Sequence, residues 1–283
     1  MTERRQWSGG SAAPLARLAL AFTLALGAGL GCDKGPAAPL SAAEFQANAE
    51  QAYEKALRKF FAADYVNAVT AMEEVKREFP GTRIARLAQL RIADSHFHQG
   101  SYPEAITSYR EFLRDFPSDE EVPYSRYRVI LCLFESRGES MIAPPLEERD
   151  LANIRDADRA IADFQRDYPN YKENERVDYM KLWVRGMLAR YELYVARFYL
   201  GRRNLDAALA RTEYALANYR DTGLEPEALV LLGETHMRKG NALEARSAFE
   251  AVLTHYPNSA FSESSRRFLA FLDKTSPAGT QIK

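Results

Sequence analysis

Few side chains in this 283-residue sequence have the types and spacing that catalysis or metal binding requires. Its two cysteines, Cys32 and Cys132, are too few for a disulfide scaffold or a four-thiolate zinc site. Cys132 lies in an apolar run, which predicts a buried and inert thiol. His96 and His98 are two residues apart, so on a helix they point in different directions rather than toward one metal ion.

Known catalytic motifs are missing from the sequence as well. It contains no glycine-rich phosphate loop, Cys-x-x-Cys pair, His-Glu-x-x-His helix or serine elbow. The 38 basic and 39 acidic residues give a formal net charge of -1, so no general attraction to phosphate backbones exists. We therefore predict a protein that is not an enzyme, needs no cofactor or metal ion, and has no nucleic-acid partner.

The N-terminal residues have the composition of an export signal. Three arginines precede the apolar run Leu18–Leu30, which is shorter than the roughly 20 residues that cross a bilayer. The run ends in Gly-Leu-Gly before Cys32 and resembles a lipobox, the site where bacterial lipoproteins are cleaved and acylated, although its leucine is two rather than three residues before the cysteine. We predict a signal peptide over 1–31, palmitate-bearing acylation of Cys32 and a lipidated tether over 32–43.

An aromatic residue followed by proline closes several segments of the remaining chain, and a Tyr-Arg pair closes one more. Successive pairs are 37, 52, 51 and 37 residues apart. The pairs are Phe79-Pro80, Phe116-Pro117, Tyr168-Pro169, Tyr219-Arg220 and Tyr256-Pro257. An alanine stands twelve residues before each closing position, and a residue that can cap a helix stands sixteen before it. This pattern predicts that each unit consists of a helix, a tight turn and a second helix that begins at the capping residue. The alanines are Ala68, Ala105, Ala157, Ala208 and Ala245, and the capping candidates are Asp64, Ser101, Asn153, Asn204 and Asn241.

Apolar residues follow each alanine with helical spacing and predict the core between repeats. They stand four and seven positions after the alanine, on one helix face. Glutamates three residues after Ser101 and Asn241 suggest capping boxes. The apolar residues are Met72, Tyr109, Ile161 and Phe249, then Val75, Phe112, Phe164 and Val252.

This pattern resembles the tetratricopeptide repeat (TPR), most closely at Leu232-Gly233, Ala245, Phe249 and Pro257. We predict an all-α, TPR-type α-solenoid of five helix-hairpin repeats over 44–272, closed by a C-terminal capping helix. The two long spacings predict an inserted loop over 136–151 and one long helix over Lys172–Leu200. We expect a disordered tail over 273–283.

The fourth repeat carries the most specific pattern, Tyr191-Glu192-x-x-Val195-Ala196-x-Phe198-Tyr199 followed by Tyr219-x-Asp221-Thr222. Together with the lipobox-like cysteine and the insert, it resembles the BamD family of TPR lipoproteins of the β-barrel assembly machinery. The resemblance implies a non-enzymatic scaffold on the periplasmic face of the outer membrane, anchored by lipid. The implied partners are a BamA-like barrel subunit, other lipoproteins of that machinery and unfolded outer-membrane protein segments.

One residue of the fourth repeat is a candidate for partner binding. Three positions after the repeat alanine, four units carry a small residue and one carries Arg211. The resemblance implies that Arg211 contacts the periplasmic domain of BamA nearest its barrel, where a planar and permanently charged side chain suits an ion pair or a carbonyl contact. The alternative is an exposed helix arginine without a partner.

The first helices of the N-terminal repeats supply candidates for a substrate groove. In TPR geometry these positions face the concave side, where apolar pockets could hold an extended peptide. The alternative is that some of them complete the core. The candidates are Tyr53, Leu57, Phe60, Leu90, Asp94 and Phe97.

Other classes of lipoprotein stay open from the sequence. A periplasmic TPR protein of the Tol-Pal or cell-division coordinator kind shares the aromatic-proline ending, and a secretion or pilus pilotin shares the lipid anchor. Asp33 follows the predicted lipidated position, and in some bacteria an aspartate there retains lipoproteins in the inner membrane. Outer-membrane placement therefore depends on the resemblance.

Overall fold

The computed structural model describes residues 41–137 and 151–275, and all regular structure in these two stretches is α-helical. The predicted signal peptide, Cys32, most of the tether, residues 138–150 of the predicted insert and residues 276–283 lie outside the described residues. The helices are α1 Ala42–Phe61, α2 Tyr65–Glu78, α3 Arg83–His98, α4 Tyr102–Asp115, α5 Val122–Glu135, α6 Ala152–Asp167, α7 Asn174–Gly201, α8 Leu205–Asn218, α9 Glu225–Lys239, α10 Ala242–His255 and α11 Ser262–Thr275.

The helices pack in sequence order, which is how a solenoid is built. Each helix packs on the next one along the chain, and α1 also contacts α3 as α7 contacts α9. Five consecutive hairpins and the final helix α11, which packs on α10, form a TPR-type α-solenoid with a C-terminal capping helix. The predicted fold class is confirmed.

The repeat alanines lie where two helices approach most closely. All five are fully buried, and so are the apolar residues predicted four and seven positions later. Gly233, on the first helix of the last hairpin, must be small as well, because a Cβ placed there would lie 2.6 Å from the ring of Phe249. The predicted core between repeats is therefore confirmed.

The predicted helix caps are mostly wrong in detail. Ser101 and Asn241 precede helices but make no side-chain capping bond, so the two predicted capping boxes do not form, and Asn153 lies inside α6. Ser41, with an extended ψ of 155°, makes the reciprocal bonds of a capping box, and Asn204 accepts from the Ala207 amide at 3.3 Å.

One of the two irregular spacings has the structural cause that the sequence predicted. Helix α7 has 28 residues and is about 42 Å long at ~1.5 Å per residue, in agreement with the predicted long helix. The chain leaves helix α5 at Glu135 and re-enters helix at Ala152, at the bounds of the predicted insert. Helix α1 begins within the predicted tether, and α11 continues through Thr275, three residues into the predicted tail.

Candidate functional site

Two of the six predicted groove residues are buried and cannot line an open groove. Leu90 is 0% and Asp94 1% exposed on α3, so both belong to the interior of the solenoid. Asp94 is buried because neighbouring helices cover it: Tyr109 of α4 and Tyr124 of α5 both direct their hydroxyls to its carboxylate. The candidates that keep exposed surface are Tyr53, Leu57, Phe60 and Phe97, here called the N-terminal aromatic surface.

Asp94 is the centre of a buried polar network. Its carboxylate accepts hydrogen bonds from the hydroxyls of Tyr109 and of Tyr124, the latter at 2.7 Å, and from the guanidinium of Arg91. Arg128 places Nη2 3.5 Å from the same carboxylate and donates from Nε to the Tyr109 hydroxyl at 2.9 Å. Asp94 is thus occupied by neighbours within the chain and acts by positioning them.

The network holds two arginines against one carboxylate, so it carries one excess positive charge. Burial, followed by the negative charge of Asp94, raises the pKa of Tyr109 and of Tyr124. Both phenols therefore stay protonated and donate to the carboxylate. Arg128 also lies over Phe97, with its guanidinium carbon 3.9 Å from the ring centroid, which joins the network to the aromatic surface.

The N-terminal aromatic surface extends beyond the predicted residues. Phe60 packs edge-on against Tyr65 and His98, with centroids 5.6 and 5.7 Å apart, and Tyr65 stacks on His98 at 5.2 Å. Phe97 packs against Tyr102 at 5.6 Å. The sequence analysis missed Tyr65, His98 and Tyr102, although each stands at the turn between the two helices of a hairpin.

Arg211 has a partner within the chain. Its Nη1 donates to Oε2 of Glu192 at 3.0 Å, and this bond raises the pKa of the Arg211 guanidinium. Glu192 is buried on α7, whereas 43% of the Arg211 side chain stays exposed. The carboxylate fixes one side of the guanidinium and leaves the other side toward solvent. The sequence analysis quoted Glu192 as part of a pattern but did not recognise it as this partner.

Tyrosines surround this arginine. Tyr191 and Tyr199 of α7 lie close enough to influence its pKa, and Tyr214, one turn further along α8, is 48% exposed. Tyr214 packs edge-on against Tyr219 at 5.9 Å. We name Tyr191, Tyr199, Arg211 and Tyr214 the α7–α8 surface.

The described part of the chain has neither a membrane-spanning helix nor a cluster of metal ligands. No helix in residues 41–137 and 151–275 is both long and apolar enough to cross a membrane. The same residues contain no group of three or more His, Cys, Asp or Glu side chains that could hold a metal ion.

Comparisons with known proteins place this chain beside a family model and several named relatives. The family model YfiO, described as outer membrane lipoprotein, matches residues 45–242, and a tetratricopeptide repeat model matches residues 227–259. The outer membrane protein assembly factor BamD of Neisseria meningitidis is 25% identical over 75% of this chain and 80% of its own length. The protein of the same name from Caulobacter vibrioides is 28% identical over 63% of this chain and 56% of its own length.

A solved structure of a thermophilic TPR protein from Thermus thermophilus is also similar, with 18% identity and a TM-score of 0.35, over 80% of this chain and 99% of that one. The YfiO match begins in α1 and ends in α10, and so includes the N-terminal aromatic surface and the α7–α8 surface. Because this match covers more than half of the sequence, the chain belongs to the YfiO family of outer membrane lipoproteins, among whose relatives are proteins named BamD.

Proposed function

We propose that this chain is a non-enzymatic lipoprotein scaffold for the assembly and insertion of β-barrel proteins at the periplasmic face of the outer membrane. The observation that carries the proposal is its similarity, over most of its length, to relatives named outer membrane protein assembly factor. The solenoid supports it by presenting two separate surfaces. One would hold unfolded substrate segments, and the other a BamA-like barrel subunit together with any further lipoproteins of the complex.

The α7–α8 surface is the proposed contact for the barrel subunit. Arg211 is held by Glu192, so its planar fork is already oriented when a partner arrives. A carboxylate or carbonyl on the partner would bind its exposed side, and the neighbouring tyrosines would add contact area of the kind that dominates binding energy in interfaces.

Charge reversal tests this contact against the alternative that Arg211 only neutralises Glu192. Arg211→Glu should abolish co-purification of a BamA-like subunit, identified by mass spectrometry, from detergent-extracted membranes. Arg197 is the matched control, because it is another half-exposed arginine that pairs with a glutamate on a neighbouring helix. Arg197→Glu should leave recovery unchanged. Equal recovery of the subunit with Arg211→Glu, in a protein with unchanged circular dichroism, would refute the role of Arg211.

The N-terminal aromatic surface is the proposed substrate site. Its rings are partly exposed and fixed by edge-on contacts, so an extended segment could insert apolar side chains between them without reordering the site. A photocrosslinking residue at Tyr53 or Phe97 should capture unfolded barrel precursors. The same residue at Arg110, which is exposed on α4 and lines a different cleft, should not. Equal capture from all three positions would contradict the site.

Cys32 is the proposed lipid attachment point. Because an aspartate such as Asp33 can retain lipoproteins in the inner membrane, the experiment must separate the inner membrane from the outer membrane. Cys32→Ser should release the protein from membranes and remove the acyl mass from its N-terminal peptide. Density-gradient separation of the two membranes should place the wild-type protein with outer-membrane porins. Recovery with the inner membrane would contradict the outer-membrane assignment while leaving lipidation intact.

A further inference from the structure

Phe97 connects the buried network of Asp94 with the N-terminal aromatic surface. Its ring carries the guanidinium of Arg128, whose central carbon lies 3.9 Å from the ring centroid. The same ring packs edge-on against His98 and against Tyr102, with centroids 5.6 Å apart in both pairs. Phe97 therefore contacts a buried cation and also the partly exposed rings of the surface.

Arg128 is oriented by contacts inside the solenoid. Only 12% of its side chain is exposed, so it is too deeply buried to bind a ligand directly. Its Nε donates to the hydroxyl of Tyr109 at 2.9 Å, and that hydroxyl donates in turn to the carboxylate of Asp94. Tyr109 is itself fully buried. Any effect of Arg128 on the aromatic surface must therefore pass through Phe97.

One donor of Arg128 is buried without an acceptor. Its Nη2 lies 3.5 Å from the carboxylate of Asp94 but finds no hydrogen-bond partner among the described residues. Both oxygens of that carboxylate already accept hydrogen bonds, Oδ1 from two tyrosine hydroxyls and Oδ2 from Arg91. An unsatisfied buried donor lowers stability and calls for an explanation. The explanation that the geometry offers is the stacked contact of the guanidinium with the Phe97 ring.

We propose that Arg128 is a positioning residue for the N-terminal aromatic surface, and that it holds the Phe97 ring in the orientation that receives an apolar side chain of a substrate segment. This inference rests on the substrate site proposed above. A guanidinium is flat and stacks on an aromatic face, so it restricts the tilt of the ring more than a lysine ammonium would. A ring that is already ordered binds a side chain at a smaller entropic cost.

Substitution of Arg128 by lysine tests this role, because it keeps the charge beside Asp94 but removes the flat stacking group. The protein is the full lipidated chain in lipid nanodiscs, and the probe is a short fluorescent peptide that alternates phenylalanine with serine, as an extended segment presents its side chains. Arg128→Lys should raise the dissociation constant for this peptide between ~twofold and ~tenfold, the effect of ordering one side chain on binding. Tyr109→Phe, which removes the hydroxyl that holds Nε, should act in the same direction.

A double-mutant cycle with Phe97→Leu separates positioning from a general loss of stability. Leucine keeps an apolar side chain at this position but has no ring to orient. In the Phe97→Leu background, Arg128→Lys should change the dissociation constant by less than ~twofold, because the two residues act as one unit. A general loss of stability would weaken binding equally in both backgrounds.

Arg126 supplies the matched control on the same helix. Its guanidinium carbon lies 5.6 Å from the ring centroid of Tyr168, outside the aromatic surface, and its Nη1 lies 2.7 Å from the carboxylate of Asp167. Arg126→Lys should leave peptide binding unchanged. Wild-type protein that does not bind the peptide would refute the substrate site and this inference with it. Peptide binding that is equally tight in Arg128→Lys, or weakened to the same degree in both backgrounds, would overturn the positioning role alone.

Discussion

Replacing Asp94 by asparagine is the sharpest test of the buried network beneath the aromatic surface. The substitution keeps the shape of the side chain but removes the carboxylate charge that pairs with both Arg91 and Arg128. Asparagine still offers one oxygen to the hydroxyl of Tyr109 or of Tyr124. The main loss is therefore the compensation of two guanidinium groups rather than packing.

The expected cost follows from how well each arginine can reach water. The Arg128 side chain is 12% exposed and the Arg91 side chain 28% exposed, so Arg128 stays largely buried without its counter-charge while Arg91 can turn outward. Removing one partner of a fully buried pair costs about 3–5 kcal/mol. The partial exposure of Arg91 places Asp94→Asn at the lower end, about 3 kcal/mol.

Thermal unfolding followed by far-ultraviolet circular dichroism measures this cost. About 3 kcal/mol should lower the midpoint by roughly 6–12 °C in a domain of this size. Asp163→Asn is the matched control, since it removes the same charge from an exposed pair with Arg166 and should leave the midpoint nearly unchanged. A shift below about 2 °C for Asp94→Asn would mean that the network adds little to stability, and the reasoning from buried charge would be wrong.

Three further outcomes follow from single residues. Gly233→Ala should lower the unfolding midpoint, because its Cβ would overlap the buried ring of Phe249. Gly186→Ala in α7, with nothing within 4 Å, should raise the midpoint, because helix propensity adds about 0.5–1 kcal/mol to the free energy of unfolding. Burial and then the charge of Arg128 lower the pKa of His98 below 6.5, so its contribution to stability is present above pH 6.5 and is lost as the pH falls from there through the lowered pKa of the folded state. An NMR titration giving a pKa above 6.5 would contradict this. Burial raises the pKa of the Cys132 thiol to about 12, so it should react with a thiol reagent only after unfolding.

The sequence predicted the fold well because the repeat signal is periodic and local. Ala105, Tyr109 and Phe112 recur at fixed offsets in other repeats, and each offset has one geometric meaning on a helix. The errors at Ser101 and Asn241 arose because residue type marks where a cap can stand but not where the side chain bonds. The Asn241 amide, for example, contacts Nδ1 of His236 at 3.3 Å and makes no capping bond.

The site was predicted less well because burial there depends on distant residues. Leu90 and Asp94 occupy first-helix positions that would face the groove in an idealised repeat, but tyrosines and an arginine from α4 and α5 cover Asp94. No spacing within α3 contains that information. Arg211 was found because it breaks a row of small residues, whereas its partner Glu192 lies 19 positions earlier and has no marker of its own.

The two networks use the same physical device in different repeats. Asp94 on α3 and Glu192 on α7 are buried carboxylates on the first helix of a hairpin. Asp94 pairs with Arg128 of α5, and Glu192 pairs with Arg211 of α8, so each carboxylate orients an arginine from a later helix. An arginine loses up to about 2 kcal/mol of rotamer entropy when it is immobilised. In Arg128 and Arg211 much of that loss has already occurred on folding. The proposed partner of Arg211 would therefore gain its hydrogen bonds at a smaller entropic cost, because the half-exposed guanidinium is ordered before that partner arrives. Arg128 is too deeply buried for such a contact, so its fixed orientation serves the interior of the solenoid.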